Sequence, residues 1–244
     1  RPQGGKAGSS YTSALYFGGP APGPLGALNE SWNGSAWTEI ADLNTARGLS
    51  AGAGTQTSAI YMSGYINPNA NASVETWNGS AWTEVTDVNT AVYGHSGAGS
   101  SNSDSMKVTG TTPSAQTNNV ELWNGSAWTE TTNVSQNSYN VAGSGTTSSA
   151  LKFGGSQSNA DVAHTEEWVG PGAPIGAWST GGNLNTARGE AGGSGTQTAG
   201  LVFGGSGVTG ATETYDGTSF TETGDLNTGR RTIAGAGTQT STIA

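Results

Sequence analysis

The chain has 244 residues, 41 of them glycine and none cysteine, and only 10% are charged, with a formal net charge of −9. Glycine stands at more than twice its usual share of about 7% and charge well below the usual 25% or so, so the sequence is turn-rich and short of helix-forming material. With 8 Lys and Arg in all, it offers no basic stripe for nucleic acid or an anionic membrane surface, no apolar run near the roughly 20 residues that permit membrane insertion, and no thiolate for a disulfide, metal or nucleophile.

In chain order, the segment Trp-Asn-Gly-Ser-Ala-Trp-Thr-Glu fills 32–39, 77–84 and 123–130, with weaker copies opening at Trp168 and Tyr215. The leading aromatics recur every 45 to 47 residues, a period that matches propeller blades. Aligned on them, complete units run 1–46, 47–91, 92–137, 138–187 and 188–229 in a single domain, and 230–244 is a ring-closing strand or a partial extra repeat. Arg1-Pro2-Gln3-Gly4-Gly5-Lys6 makes a poor strand opening, because it carries proline and two glycines. The C-terminal strand is therefore expected to supply the innermost strand of blade one.

Each unit reads as four strands, A to D. In the second they fall at 48–53, 57–62, 73–77 and 81–85. Asn78-Gly79 between C and D predicts a two-residue type I′ turn, which sets Trp77 opposite Ser80 and Glu75 opposite Trp82, all on one face. Two aromatics and a carboxylate per blade then fill the space between sheets. A glutamate that recurs in every unit, as Glu30, Glu75, Glu121, Glu166 and Glu213 do, reads as a structural acceptor rather than a catalytic acid.

Phe17-Gly18-Gly19, Phe153-Gly154-Gly155 and Phe203-Gly204-Gly205 close strand B, a Glu precedes the first Trp or Tyr by two residues, and Arg47, Arg188 and Arg230 open strand A. This set resembles the Kelch repeat. The resemblance implies an all-β propeller of four-stranded blades, and the count of complete units makes five of them, or six with the partial C-terminal repeat. Ser63-Gly64 and Thr109-Gly110 depart from the glycine pair, and Val92 and Ser138 from the arginine. The wording of the repeats, Leu-Asn-Thr-Ala-Arg at 43–47 and 184–188 and Gly-Thr-Gln-Thr at 54–57, 195–198 and 237–240, is similar to Kelch-like repeats of marine bacteriophage structural proteins of tail or fibre. That second resemblance implies a virion or extracellular setting.

The A-B and C-D turns are nearly invariant, whereas the B-C loops differ in every blade, and loops free of packing duty commonly carry binding. Tyr65, Ile66, Asn67, Asn69, Gln116, Asn118, Asn119, Gln157 and Asn159 are the expected contacts for a glycan or host surface protein. The lengthened hairpin of the fourth unit places Pro171, Pro174 and Ile175 on the opposite face as a docking point for neighbouring virion proteins, the alternative role being purely structural decoration. No enzymatic activity is expected. Copper oxidases among Kelch propellers rely on a Tyr cross-linked to Cys plus His ligands, and this chain has no Cys and only His95 and His164, so neither metal nor cofactor is anticipated. No Ser-His-Asp order, phosphate loop or paired-carboxylate spacing appears, and the Gly-x-Gly combinations read as turns.

Overall fold

A computed structural model describes residues 3–21, 23–170 and 176–244. Each repeat folds as an antiparallel meander. Blade one comprises Gly5–Ser10, Ser13–Phe17, Asn29–Trp32 and Trp37–Ile40, and blade two Ala51–Thr55, Ser58–Met62, Val74–Trp77 and Trp82–Val85. Blade three is Ser96–Ser101, Asp104–Thr111, Gln116–Trp123 and Trp128–Glu130, and blade four Ala142–Gly145, Ser149–Phe153, Thr165–Val169 and Ala177–Thr180. Gly192–Thr196, Ala199–Phe203, Thr212–Tyr215 and Phe220–Glu222 complete blade five. One short 3-10 turn, Pro24–Gly26, is the only helical element among the described residues. The protein is an all-β propeller of five four-stranded blades.

A sixth position in the ring holds half a blade. Ala236–Thr238 and Ser241–Ile243 pair only with each other, and the first of them packs between the innermost strands of blades five and one. Blade one keeps its own innermost strand, Gly5–Ser10, paired with Ser13–Phe17, so the expectation that the C-terminal strand would replace it is corrected. The reason lies in the glycines that argued against a strand. A Cβ on Gly5 would sit 2.7 Å from the rings of Phe17 and Tyr61, and one on Gly235 only 2.2 Å from Phe203. Where sheets converge on the axis, the aromatic closing one strand B occupies the space a side chain on the next strand A would need. Many of the Gly-x-Gly combinations are thus packing positions rather than turns.

A belt of backbone hydrogen bonds rings the axis just ahead of the innermost strands. Gln3, Leu49, Gly94, Asn140, Glu190 and Thr232, one for each of the five blades and one for the half-blade, all adopt φ between 50° and 70°. The N–H of Leu49 donates to Gln3 O at 2.9 Å, Gly94 to Leu49 O at 2.7 Å, Glu190 to Asn140 O at 2.9 Å, Thr232 to Glu190 O at 2.8 Å and Gln3 to Thr232 O at 3.4 Å. The last two bonds tie blade five to blade one through the half-blade. Left-handed conformation costs a non-glycine residue on the order of 1 kcal/mol or more, and here each strained residue secures an inter-blade bond.

Between blades the core is layered. Leu15, Phe17 and Leu43 of blade one meet Tyr61, Trp77 and Trp82 of blade two, and the pattern repeats with Trp123 and Trp128, then Trp168, then Tyr215 and Phe220. The register differs from expectation. Trp77 lies directly opposite Trp82 and Glu75 opposite Glu84, because the connection is four residues long. Of the pair Asn78-Gly79 only Gly79 has positive φ, 97°, so the type I′ turn does not form. Asn78 Oδ1 instead accepts from Ser80 N at 2.9 Å and Ala81 N at 3.0 Å, and this side-chain cap substitutes for the turn the backbone would have made.

Candidate functional site

Four of the five recurring carboxylates, Glu75, Glu121, Glu166 and Glu213, are buried and engaged, and Glu30 is half-buried. Glu75 accepts from Arg47 Nη1 at 2.6 Å and from the Asn44 N–H at 2.7 Å, and Glu213 accepts from Arg188 and from the Asn185 N–H at 2.8 Å. In blades three and four Val92 and Ser138 stand where the arginine would be, and the cation comes from strand B. Lys107 lies 2.6 Å from Glu121, and Lys152 lies 3.8 Å from Glu166. Register places both lysines where blade two has Tyr61 and blade five Val202. Each of these four carboxylates thus keeps one cation whichever strand supplies it, which marks them as scaffold. The two departures from the glycine pair are likewise absorbed. Ser63 and Thr109 take φ of 54° and 57°, and their hydroxyls donate to Val92 O at 2.7 Å and Ser138 O at 2.8 Å.

Both histidines sit among these packed groups. His95 is buried, its Nε2 accepting from the Ala51 N–H at 3.3 Å, and burial, reinforced by the Lys107 charge, lowers its pKa to about 3. His164 contacts Lys152 through Nε2, and burial with the Lys152 charge lowers it to about 4. Burial also lowers Lys152 to about 8, against the pull of Glu166. Among the described residues no group of three or more His, Asp and Glu is placed to hold a metal ion. A folded-state pKa below 6.5 means the unfolded chain binds more protons at mildly acid pH. The stability held by neutral His95 is full above pH 6.5 and drains away as pH falls towards 3, by about 2 kcal/mol between pH 7.5 and 5. His95→Gln is expected to reduce the fall of the urea midpoint over that interval by about half, the rest coming from His164. An unchanged slope in the variant would assign the acid sensitivity elsewhere.

The variable loops form one end of the propeller. Tyr65–Ile66 pairs with Asn69–Ala70 as a small ribbon whose tip exposes Asn67, Pro68 and Asn69. The Tyr65 hydroxyl donates to Asn67 Oδ1 at 3.2 Å, and its ring lies 4.9 Å from that of Tyr93. A second ribbon pairs Ser156–Gln157 with Ala160–Asp161 and exposes Asn159. There the Tyr139 hydroxyl donates to Asn159 Oδ1 at 3.3 Å, and Gln157 Nε2 donates to Asn137 Oδ1 at 2.9 Å. Blade three differs, because its B and C strands run eight residues each and leave only a tight turn at 112–115. Gln116 pairs with Thr111 inside the sheet, Asn118 Nδ2 donates to Val134 O at 3.2 Å, and Asn119 Oδ1 accepts from buried Lys107 at 3.3 Å. Pro171, Pro174 and Ile175 lie outside the described residues.

The structure thus gathers Tyr65, Ile66, Asn67, Asn69, Gln157 and Asn159 on two ribbons and turns Asn119 inward. Sequence reasoning missed Tyr93 and Tyr139, half-buried in the connections between blades. The signal was present, since the two stand one repeat apart at the same offset, three residues past Thr90 and Gln136.

No protein-family model matches the chain, and no curated protein matches it. Among solved structures it is similar to that of YjhT, with a TM-score of 0.77 and 10% identity over 97% of this chain and 88% of the other. At that identity the likeness shows the fold alone. It also corrects one expectation. Absence of enzymatic activity was read from missing motifs, but the chain shares its scaffold with YjhT almost end to end, and a shared scaffold hosts unrelated activities on its loops. The exclusion of catalysis is withdrawn.

Proposed function

We propose that this propeller is a recognition module that binds a glycan, or a glycan-bearing surface protein, across the rim of its two B-C ribbons, in a virion or extracellular setting. The observation that carries the reading is the grouping of exposed Asn67, Asn69 and Asn159 and half-buried Gln157 with the tyrosine rings of 65, 93 and 139 at one end of the ring. Primary amides both donate and accept towards sugar hydroxyls, and a tyrosine face covers the apolar face of a sugar ring. The acidic balance of the chain, −9, suits a neutral rather than an anionic sugar. Shallow sites of this kind bind weakly singly and gain strength when displayed in many copies.

The check is a glycan and host-cell binding screen of the isolated chain. Wild type is compared with a Tyr65→Ala/Tyr93→Ala variant and with one in which 66–69 and 157–160 are replaced by Gly-Ser. Loss of binding in both variants is expected. Binding that survives both, or that vanishes instead on deletion of 170–176, would move recognition to the opposite face and favour docking on neighbouring virion subunits.

A further inference from the structure

The most closely repeated segment of the chain, Asn-Gly-Ser-Ala at 33–36, 78–81 and 124–127, takes no part in the proposed recognition surface. It joins the third and fourth strands of blades one to three at the end of the propeller opposite the ribbons, and every residue in it is exposed. The geometry is the same three times. Asn33 Oδ1 accepts from Ser35 N at 3.0 Å, Ser35 Oγ at 2.9 Å and Ala36 N at 2.9 Å. Asn78 Oδ1 takes the same three donors from Ser80 and Ala81, and Asn124 Oδ1 from Ser126 and Ala127, all at 2.9 to 3.0 Å.

Each of these side-chain carbonyls thus faces two amides and a hydroxyl. The side-chain nitrogens of the three asparagines bond nothing among the described residues. Those of Asn44, Asn102 and Asn185, by contrast, donate to Glu75, Trp77 O and Glu213. The following residue is in each case a glycine with φ of 93° to 97°, whose N–H donates to no carbonyl among the described residues. These are the requirements of an intramolecular acyl transfer. A glycine nitrogen that has lost its proton attacks the asparagine Cγ without a side chain in the way. The charge that develops in the tetrahedral intermediate falls on Oδ1, where three donors already point.

We infer that Asn33, Asn78 and Asn124 are self-modifying sites, each converted to aspartate by its own turn, whose donors serve as the oxyanion hole. Hydroxide takes the glycine amide proton, the N–Cγ bond forms and the Cγ–Nδ2 bond breaks, and ammonia leaves with a proton from water, closing a succinimide. Water then opens the ring at Cγ to give aspartate, or at the backbone carbonyl to give an isoaspartyl linkage. Net, an amide and one water become a carboxylate and an ammonium ion. Only aspartate preserves the turn, because the isoaspartyl linkage lengthens the main chain by a methylene. The product state stands in blade five, where Asp216 Oδ1 accepts from Thr218 N at 2.8 Å and Ser219 N at 2.9 Å, with Gly217 at φ of 94°. The Ser219 and Thr218 amides hold the Asp216 carboxyl below the ordinary carboxylate range. The hairpin therefore accommodates the charge, and each conversion adds one negative charge to the −9 of the chain, all at one end of the ring.

The experiment incubates the full chain beside a synthetic peptide with the sequence of residues 73–85 at mildly alkaline pH, and follows Asn33, Asn78 and Asn124 separately by peptide mass mapping. Conversion centred on these three sites is expected, at Asn78 at least as fast in the folded chain as in the peptide. Ser80→Ala removes one donor from the Asn78 carbonyl, and the lost hydroxyl makes no other hydrogen bond. It should slow conversion at Asn78 by about two- to tenfold, the worth of one hydrogen bond, while Asn33 and Asn124 of the same molecules keep their rates and report that the variant is folded. Asn78→Asp should leave the urea midpoint unchanged. Slower conversion of Asn78 in the chain than in the peptide overturns the inference, as does a rate at Asn78 that Ser80→Ala does not alter, or a lowered midpoint in Asn78→Asp.

Discussion

Trp77→Ala is expected to lower stability by about 3 to 5 kcal/mol, whereas Trp37→Ala should cost less than about 1 kcal/mol. The two residues belong to the same repeated segment, and only their surroundings differ. Trp77 is 2% exposed, its ring 5.5 Å from that of Trp82, its N–H donating to Gln56 O, and the pair is wedged against Phe17 and Tyr61. Truncation there opens a cavity that flanking sheets, tied together at the axis, close poorly. It also leaves the Gln56 carbonyl without its donor. Trp37 is 43% exposed, so its removal gives up little buried area. Chemical denaturation of the two variants reads the contrast directly. Equal losses would mean that Trp37 is covered in solution.

Most of the architecture was legible because blade packing is written in every copy. The tryptophan spacing gave the repeat, the alternation gave the face, and the glutamate two residues before the aromatic gave its buried acceptor. Two errors had one cause, the reading of local turn chemistry in isolation. Asn78-Gly79 has the composition of a type I′ turn, yet the Asn78 side chain caps a four-residue loop instead. Gly4-Gly5 looks like a strand breaker, yet glycine is what the ring of Phe17 permits at the axis. The rim was legible in part. Tyr65, Asn67 and Asn159 fall on exposed ribbons as loop variability suggested, while Asn119 is claimed by Lys107. That contact depends on a lysine replacing an arginine 15 residues earlier in the fold's logic, at Val92, which the bare sequence does not announce.

Arg47→Val is expected to destabilise the chain by about 3 to 5 kcal/mol, since it strands the Glu75 carboxylate in a buried site with amide donors but no cation. Arg47 is itself fully buried, donating to Ser63 O at 3.0 Å and Tyr61 O at 3.1 Å, its guanidinium carbon 4.5 Å from the Tyr61 ring centroid. Those carbonyls lose donors at the same time. Blade three shows how the molecule balances the same carboxylate otherwise, with valine at position 92 and Lys107 at the place of Tyr61. Adding Tyr61→Lys to Arg47→Val imports that solution into blade two. Tyr61→Lys alone should be costly, because it sets a second cation beside Arg47 and removes a ring packed 5.2 Å from Phe17. Together the two substitutions should cost clearly less than the sum of their separate effects, by about 1 to 3 kcal/mol, the range of coupling seen between residues in one ionic network. The four urea midpoints of this cycle measure that term. Strict additivity would mean that the charge on Glu75 is balanced by its amide donors alone, and that the exchange of arginine for lysine between blades carries no energetic link.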